Sequence, residues 1–347
     1  MKTKGVFLPG DKTAHVKEWD ISGPKNDEIL VKIKAAALCA SDLSIYNGKP
    51  LIEGYPSGTF ITGHEPCGVV EEIGPSVQHL KKGDRVAIIA FIGCGFCNYC
   101  LGGEPNLCES VKVLGFNCHG GDSEYLIIPE RSCLILPEEI DYVVGAISTD
   151  AIGNLYSTMK EMNVSSDDVV AITGMGPMGL SGVLVAAGLG ATVIAIDPVE
   201  SRLNIAKDLG AQYIINPDNE DAVAFIKNLT KSGADKAVEC SASEIGINTV
   251  LNATKPHGIV SQIGETGDRT ISIKPSSQLI WKKLSYIGSW YFTLNEWINI
   301  TNFIITKIGN DKAKKLVSHI YPLEEKSVSE AFKLFSEHKT LKVVFTP

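Results

Sequence analysis

Short apolar strands alternate with helix-length segments through the second half of the chain, and this alternation limits the possible fold more than any other feature. Strands are predicted at 167–173, 191–197, 213–216, 235–240, 258–264 and 283–288. Helices are predicted between them at 178–189, 199–209 and 221–230. Strand–helix–strand units of this kind are right-handed and build a parallel sheet with helices on both faces. The sequence therefore predicts a doubly wound α/β domain.

A glycine-rich turn joins the first of these strands to the helix that follows it. Gly174, Gly176 and Gly179 form the pattern G-x-G-x-x-G, in the strand–turn–helix context that a dinucleotide-binding motif requires. The first glycine permits a tight turn, the second lets backbone N–H groups approach a pyrophosphate, and the third allows close packing of helix on strand. A glycine-rich helix cap without a ligand is the alternative. The predicted cofactor residues also include Pro177, Met178 and Gly264.

Asp197, at the end of the second strand, favours NAD over NADP. It follows Gly174 by 23 residues, close to the distance at which this fold places an acidic residue on the adenosine ribose. A carboxylate there accepts hydrogen bonds from the ribose hydroxyls and repels a 2′-phosphate. Arg202 lies nearby in the sequence and weakens this preference. We therefore predict NAD as the cofactor, with NADP as the less favoured alternative.

Four of the nine cysteines fall within one short segment. Cys94, Cys97, Cys100 and Cys108 have the spacing C-x2-C-x2-C-x7-C. Thiolates so spaced suit a closed, tetrahedral zinc site, which would order a glycine-rich loop too polar to form its own core. A redox-active cysteine pair and an iron–sulfur cluster are the alternatives. We predict a structural zinc ion bound by these four residues.

A second set of possible metal ligands is dispersed over three distant segments. Cys39, His64, Glu65 and Asp150 combine a thiolate, an imidazole and two carboxylates, a mixture typical of an open, catalytic zinc site. Each residue also has a simpler interpretation: a core cysteine, a histidine in a turn, or an aspartate that caps a helix. Residue types and spacing alone leave both interpretations open.

Charge and composition narrow the function classes. The chain has 347 residues, with 32 Lys and Arg against 40 Asp and Glu, and a net charge of −8. Nucleic acid and anionic membrane surfaces attract basic proteins, so neither is expected as the main partner. No stretch reaches the ~20 apolar residues of a membrane span, and the N-terminal segment lacks the apolar core of a signal peptide. We expect a cytoplasmic protein with reduced cysteines.

Taken together, these motifs resemble a known family, the zinc-dependent medium-chain dehydrogenases, which include alcohol, sorbitol and threonine dehydrogenases. The run Gly63-His64-Glu65-x2-Gly68-x5-Gly74-x2-Val77 matches the family's zinc signature at every fixed position. The four-cysteine segment and the glycine motif follow in the family's order, so the resemblance covers essentially the whole chain. It implies a β-rich, GroES-like catalytic domain at 1–145, a Rossmann domain at 146–289, and a return to the catalytic domain at 290–347.

The resemblance also implies roles for single residues. Cys39 and His64 match the zinc ligands, and Glu65 matches a carboxylate that either binds the zinc or stands just behind it. Asp150 occupies the position where relatives have Cys, Glu or Asp. Asp42 matches a carboxylate that orients the histidine ligand, and the hydroxyl that takes the substrate proton corresponds to Ser41.

The chain departs from the family pattern at a few positions. Ser44 stands where many relatives have a histidine that relays the proton to solvent, and Asp122-Ser123 replaces the usual Phe-Ala. Polyol dehydrogenases tend to have an arginine near the position where this chain has Trp290 and Tyr291. These differences bear on the proton path and on the substrate.

The implied function is the oxidation of a secondary alcohol or polyol to the ketone. Zinc would lower the pKa of the alcohol as a Lewis acid, and nicotinamide would accept the hydride. An L-threonine 3-dehydrogenase-like enzyme is the alternative, suggested by Asp150 and Gly153-Asn154. The acidic net charge disfavours a nucleic-acid-binding zinc ribbon. A non-catalytic NAD sensor is disfavoured because all the ligand positions of the catalytic zinc site are filled. We expect two zinc ions per chain, a small-molecule substrate, and a homodimer or homotetramer.

Overall fold

The computed structural model describes residues 1–49, 52, 54–267 and 269–347. The chain separates into two units. The first unit contains Met1–Asp150, Thr293–Ile305 and Val317–Pro347, and the second contains Ala151–Phe292 and Thr306–Leu316. Each unit has its own principal β-sheet.

The elements are numbered in chain order. The strands are β1 (Lys2–Phe7), β2 (His15–Asp20), β3 (Glu28–Ala37), β4 (Glu65–Ile73), β5 (Arg85–Ile88), β6 (Phe91–Ile92), β7 (Lys112–Val113), β8 (Tyr125–Pro129), β9 (Cys133–Ile135), β10 (Val169–Thr173), β11 (Thr192–Ile196), β12 (Tyr213–Ile215), β13 (Ala234–Glu239), β14 (Thr254–Gln262), β15 (Ser285–Gly288), β16 (Val317–Pro322) and β17 (Lys342–Thr346). The α-helices are α1 (Asp42–Tyr46), α2 (Asn98–Gly102), α3 (Tyr142–Ile147), α4 (Gly153–Glu161), α5 (Pro177–Gly188), α6 (Glu200–Leu209), α7 (Ala222–Thr230), α8 (Glu244–Ala253), α9 (Trp297–Phe303), α10 (Asn310–Lys314) and α11 (Glu325–Ser336).

The main sheet of the first unit has the order β16-β17-β3-β4-β5-β9, with β8 also paired to β3. In β3, Ile29, Val31 and Ile33 alternate along the strand and pack in the core with side chains of β4, β5 and β8. Alternation of this kind is the sequence pattern of a strand with one face in the core. Both β4 and β17 run antiparallel to β3. The end of β3 therefore lies beside the beginnings of β4 and β17, and this corner carries the candidate metal ligands.

The sheet of the second unit is entirely parallel, with the strand order β12-β11-β10-β13-β14-β15. The strand order reverses direction between β10 and β13, because the chain crosses from one half of the sheet to the other at that point. Ligands of open α/β sheets bind outside the carboxyl ends of the strands at such a reversal. The predicted fold class, a β-rich GroES-like part plus a doubly wound parallel sheet, is confirmed.

The C-terminal segment contributes to both units. The helical run that follows Thr293 begins with a capping box, in which Thr293 and Glu296 satisfy each other's backbone N–H groups. The last strand, β17, pairs with β3, whereas residues 306–316 group with the second unit. No helix in the described part of the chain is long and apolar enough to cross a membrane.

Candidate active site and metal centres

The dispersed ligand candidates meet at one corner of the first unit. They lie at the end of β3, at the start of β4 and on the helical turn that continues α3. Cys39 follows β3, His64 precedes β4, and Glu65 opens β4 opposite Ala37. Asp150 lies on a helical turn, Ser148–Ile152, that continues α3, and α3 packs on β3 and β4. The convergence therefore follows from strand pairing and from the packing of one helix.

The four ligand candidates offer donor atoms that all lie within 4.8 Å of one another. The Cys39 Sγ lies 3.5 Å from Oδ2 of Asp150, and His64 Nε2 lies 4.0 Å from Oε1 of Glu65. Zinc binds sulfur at about 2.3 Å and nitrogen or oxygen at about 2.0–2.2 Å, so donors around one ion lie roughly 3–4 Å apart. Spacings of this size fit one shared zinc ion.

The four ligand candidates are largely buried, so their acidic groups need a cation or a proton nearby. His64, Glu65 and Asp150 are buried and Cys39 is partly buried. The Oε2 atom of Glu65 has no hydrogen-bond partner among the described residues. A buried carboxylate oxygen without a partner is costly unless a cation or proton satisfies it. A metal ion at these donors would meet that need.

Asp42 supports two of these ligand candidates. Its Oδ1 lies 3.3 Å from Nδ1 of His64, and its Oδ2 accepts a hydrogen bond from the Cys39 N–H at 2.9 Å. Burial by itself lowers the pKa of His64, but Asp42 and Cys39 together raise that pKa well above the ordinary value. Asp42 thus turns the Nε2 edge of the imidazole toward the other donors, as an orienting carboxylate does in zinc sites.

Ser41 lies at the edge of the same cluster. Its Oγ is 3.4 Å from Nε2 of His64, so its hydroxyl is close to the atoms that would surround a bound substrate oxygen. Ser44, at the position where relatives carry a histidine, donates its hydroxyl hydrogen to the Ser41 carbonyl at 2.7 Å. Ser44 therefore stabilises the turn that carries Ser41.

The four clustered cysteines form a second group of donors within 4.8 Å of one another. Cys97 caps α2, and the N–H groups of Cys97, Cys100 and Cys94 point at sulfurs of the same cluster, at 3.4, 3.5 and 3.4 Å. Backbone N–H donors, led by that of Phe96, lower the pKa of Cys94 to about 6. Zn–S bonds of about 2.3 Å in a tetrahedron put sulfurs about 3.8 Å apart, and Cys94 and Cys100 have their sulfurs 3.9 Å apart. The cluster fits one zinc ion.

The glycine turn of the second unit has the geometry that its sequence predicts. Gly174 has φ of +84°, and a Cβ on Gly179 would lie 1.9 Å from the Gly174 carbonyl oxygen. Both positions therefore require glycine. A Cβ added to Gly176 would meet nothing within 4 Å, so the backbone is open to a ligand there. Pro177 opens α5 and Met178 follows it, which leaves the N-terminus of this helix at the turn.

The remaining predicted cofactor residues are Asp197, Gly264 and Arg202. Asp197 is buried directly after β11, and its carboxylate accepts hydrogen bonds from the N–H groups of Met175 at 2.6 Å and Val199 at 2.8 Å. Gly264 lies just after β14, and its N–H donates to the Glu239 carbonyl at 2.8 Å. Arg202 is the third residue of α6 and is partly exposed.

Comparison with known proteins shows the family to which this chain belongs. Residues 25–138 match the alcohol dehydrogenase GroES-like domain, and residues 177–306 match the zinc-binding dehydrogenase domain. The L-threonine 3-dehydrogenase of Pyrococcus furiosus is 33% identical over 99% of this chain and 97% of its own length. The chain belongs to the zinc-dependent medium-chain dehydrogenases, a family of oxidoreductases.

Solved structures of similar dehydrogenases agree along nearly the full length. An alcohol dehydrogenase from Escherichia coli CFT073, complexed with NADH, superimposes with a TM-score of 0.87 at 25% identity, over 100% of this chain and 99% of that one. A zinc-binding dehydrogenase from Sinorhizobium meliloti 1021, bound to NADP, gives a TM-score of 0.87 at 25% identity and 100% coverage of both chains. The resemblance predicted from the zinc signature and the cysteine segment is thus confirmed.

The structure of this medium-chain dehydrogenase adds a residue that the sequence did not predict. Lys342, the first residue of β17, is buried at 1% exposure, and its Nζ contacts both Glu65 Oε1 and Asp150 Oδ2, the latter at 3.2 Å. Burial lowers the pKa of a lysine, but here the neighbouring acidic groups raise it. Burial by itself raises the pKa of Asp150, but Lys342, a hydrogen bond with Glu65 and the charge of His64 together hold the pKa of that carboxyl at about 2.

Asp122, where the family has phenylalanine, is a further buried acid near the site. It is fully buried, its Oδ2 accepts a hydrogen bond from Thr62 at 3.1 Å, and its Oδ1 has no hydrogen-bond partner among the described residues. Burial, together with the negative charge of Asp42, raises the pKa of Asp122 well above the ordinary value. The substitution exchanges an apolar ring for a carboxyl that is hard to ionise.

Proposed function

We propose that this protein oxidises a secondary alcohol or polyol to the ketone with NAD, using one zinc ion at Cys39, His64, Glu65 and Asp150. The observation that carries the proposal is the meeting of these four side chains, from three distant segments, within 4.8 Å. Zinc at these donors would supply a Lewis acid for the alcohol oxygen, and a nicotinamide would supply the hydride acceptor. The family, the glycine turn and the buried donor set all support this reaction.

The side chains of the chain itself hold and move the proton. Ser41 Oγ lies 3.4 Å from His64 Nε2, and we propose that it takes the proton of the substrate hydroxyl. Asp42 keeps His64 in one orientation through the 3.3 Å contact with Nδ1. Glu65 and Asp150 are held in place by Lys342. Burial of the set excludes water, which strengthens each of these electrostatic contacts.

The preference for NAD rests on Asp197. Its carboxylate is buried at the end of β11, next to the glycine turn, and its oxygens are already acceptors for two backbone N–H groups. An acceptor at this position suits the free hydroxyls of the adenosine ribose, and its charge opposes a 2′-phosphate. The turn at Gly174, Gly176 and Gly179, with Pro177 and Met178, would hold the pyrophosphate, with Gly264 beside it. Arg202 would moderate the discrimination.

A second zinc ion is proposed at Cys94, Cys97, Cys100 and Cys108. The four sulfurs are close enough to share an ion, and none of these cysteines is in a disulfide. All four positions are filled by protein ligands, which is typical of a structural and not a catalytic zinc ion. The proposed content is therefore two zinc ions per chain.

An L-threonine 3-dehydrogenase-like activity is the second candidate. Asp150 contributes an oxygen to the donor set, and a threonine 3-dehydrogenase is 33% identical over 99% of the chain. Threonine differs from a simple secondary alcohol by its ammonium and carboxylate groups. Rates of NADH formation with threonine, sorbitol, galactitol phosphate and 2-butanol, each with NAD and NADP side by side, would separate the two candidates.

Self-association is proposed at the edge of the parallel sheet. In the described part of the chain β15 pairs only with β14, and its residues Ser285, Tyr286 and Gly288 are exposed. An exposed edge strand offers unpaired backbone groups to a second copy. A homodimer built on this edge, or a tetramer that contains it, would give twice or four times the monomer mass in light scattering.

The catalytic proposal is tested by Cys39→Ser, with Cys118→Ser as the matched control because Cys118 lies outside both clusters. We expect Cys39→Ser to lose one of two zinc ions and nearly all turnover, while NAD binding and the circular dichroism spectrum stay unchanged. Cys118→Ser should retain both zinc ions and turnover. A Cys39→Ser protein that turns over without its zinc ion would contradict the assignment.

A further inference from the structure

Lys342 is buried among the very groups that would bind the metal ion. The residue is 1% exposed, and its Nζ bonds to Oε1 of Glu65 and to Oδ2 of Asp150. A buried ammonium is tolerated only when anions and hydrogen-bond acceptors surround it. Since both of its partners are ligand candidates, Lys342 and a metal ion would draw on the same carboxylates.

The acidic donors carry more negative charge than one zinc ion can balance. As a thiolate and two carboxylates, Cys39, Glu65 and Asp150 carry three negative charges, whereas a zinc ion carries two positive charges. The Lys342 ammonium supplies the third positive charge, so the two cations together balance the charges of these three donors. When the metal ion leaves, Lys342 is the cation that stays in contact with two of these acidic groups.

Glu65 and Asp150 differ in how their carboxylate oxygens contact Lys342. Glu65 offers Oε1 to Lys342, while its Oε2 has no partner among the described residues. Asp150 uses the same Oδ2 for Lys342 at 3.2 Å and for the Cys39 Sγ at 3.5 Å. A metal ion can therefore take Glu65 Oε2 without disturbing Lys342, but it must compete with the ammonium for Oδ2 of Asp150.

We propose that Lys342 is a resident counter-ion that pairs with Glu65 and competes with the metal ion for Asp150. It limits how long the metal stays bound, and it keeps the donor set folded when the metal is absent. This inference rests on the proposed zinc site and adds a positioning residue to it. The proposal predicts two effects of opposite sign when the lysine is removed. The metal ion should be bound more tightly, and the metal-free protein should be less stable.

The test replaces Lys342 by methionine, which is apolar and similar in length, and by arginine, which keeps the charge. Zinc release into a chromogenic chelator is followed in time, and the phase that is missing from Cys39→Ser identifies the site. We expect release from Lys342→Met to be at least about tenfold slower than from the wild type, because like charges a few ångströms apart repel strongly in a buried site. Lys342→Arg should release zinc within about threefold of the wild-type rate.

Thermal unfolding of the metal-free proteins supplies the second readout. The midpoint of metal-free Lys342→Met should fall below that of the metal-free wild type, and added zinc should remove most of the difference. A lysine that only fills space would give faster zinc release and lower midpoints in both forms, and this result would overturn the proposal. Failure of Lys342→Met to fold even with zinc present would also overturn it, because zinc should supply the missing charge.

Zinc content separates this inference from the proposed function. If the wild type holds two zinc ions and Cys39→Ser holds one, the catalytic site stands, and unchanged release from Lys342→Met overturns only the role of the lysine. If Cys39→Ser retains as much zinc as the wild type, the proposed catalytic site itself fails.

Discussion

Asp42 and His64 are a buried pair in which the carboxylate Oδ1 lies 3.3 Å from the imidazole Nδ1. The other carboxylate oxygen accepts the Cys39 N–H at 2.9 Å, so one side chain positions two ligand candidates. This makes Asp42 the group whose removal should disturb the metal site most without removing a ligand.

Asp42→Asn should weaken zinc binding at the catalytic site by about 10–100-fold, the usual cost of losing a carboxylate that supports a histidine ligand. The amide nitrogen of asparagine cannot accept a hydrogen bond, so either His64 or Cys39 loses its partner. Competition with a chelator of known affinity measures the change. Ser44→Ala is the control, since Ser44 is on the same helix and donates only to a backbone carbonyl. Equal zinc affinity in Asp42→Asn and Ser44→Ala would refute the supporting role.

Asp122→Asn should stabilise the protein increasingly as the pH rises. The pKa of Asp122 is raised in the folded protein, mainly by burial, whereas an unfolded aspartate titrates near 3.9. Below about pH 4 the carboxyl is protonated in both states and costs nothing. Above that pH the unfolded chain ionises more readily, and each unit of difference in pKa weakens folding by about 1.4 kcal/mol until the folded pKa is passed.

The measurement is the thermal midpoint of the zinc-loaded proteins between pH 5 and pH 9. The midpoint of Asp122→Asn should exceed that of the wild type by a margin that widens with pH. Asp20→Asn, at an exposed position, controls for the loss of one negative charge. A margin for Asp122→Asn that stays constant or narrows over this range would show that Asp122 ionises normally in the folded protein.

The parts of this molecule that sequence could predict are those whose residues are close together along the chain. The strand, turn and helix at Gly174 lie in one continuous segment, and the predicted helix at 178–189 is confirmed as α5 (Pro177–Gly188). The four clustered cysteines likewise need only a short loop to meet. Local steric rules and ligand spacing are sufficient for such features.

Lys342 shows why the rest could not be predicted. It is 277 residues from Glu65 and 192 from Asp150 along the chain, and they meet because β17 pairs with β3 and β3 pairs with β4. The first four residues of β17 are all buried, so alternation along the strand gives no sign that one of them serves a polar site. Cys39 and Asp150 needed the resemblance to a family for the same reason.

Asp197→Asn should shift the proposed cofactor preference from NAD toward NADP. The loss of the negative charge would weaken the proposed hydrogen bonds to the ribose hydroxyls and remove the repulsion of a 2′-phosphate. We expect the KM for NAD to rise roughly tenfold, since charged hydrogen bonds contribute about 1.5–3 kcal/mol, and the KM for NADP to fall, with kcat nearly unchanged. Asp208→Asn, an exposed acid on α6, is the control. If the ratio of the two KM values is the same as in the wild type, the carboxylate does not select the cofactor.

Cys97→Ser should unfold the four-cysteine loop locally and leave the catalytic zinc in place. None of the residues of α2 is buried, and backbone N–H groups in this loop are directed at cysteine sulfurs. A segment with so little apolar contact would depend on the proposed zinc ion for order. We expect one zinc ion fewer per chain and new proteolytic cleavage between residues 94 and 108, located by mass spectrometry. Cys39→Ser, which should lose the other zinc ion, should remain uncleaved there. Equal resistance of the two variants would mean that the loop folds without its metal ion.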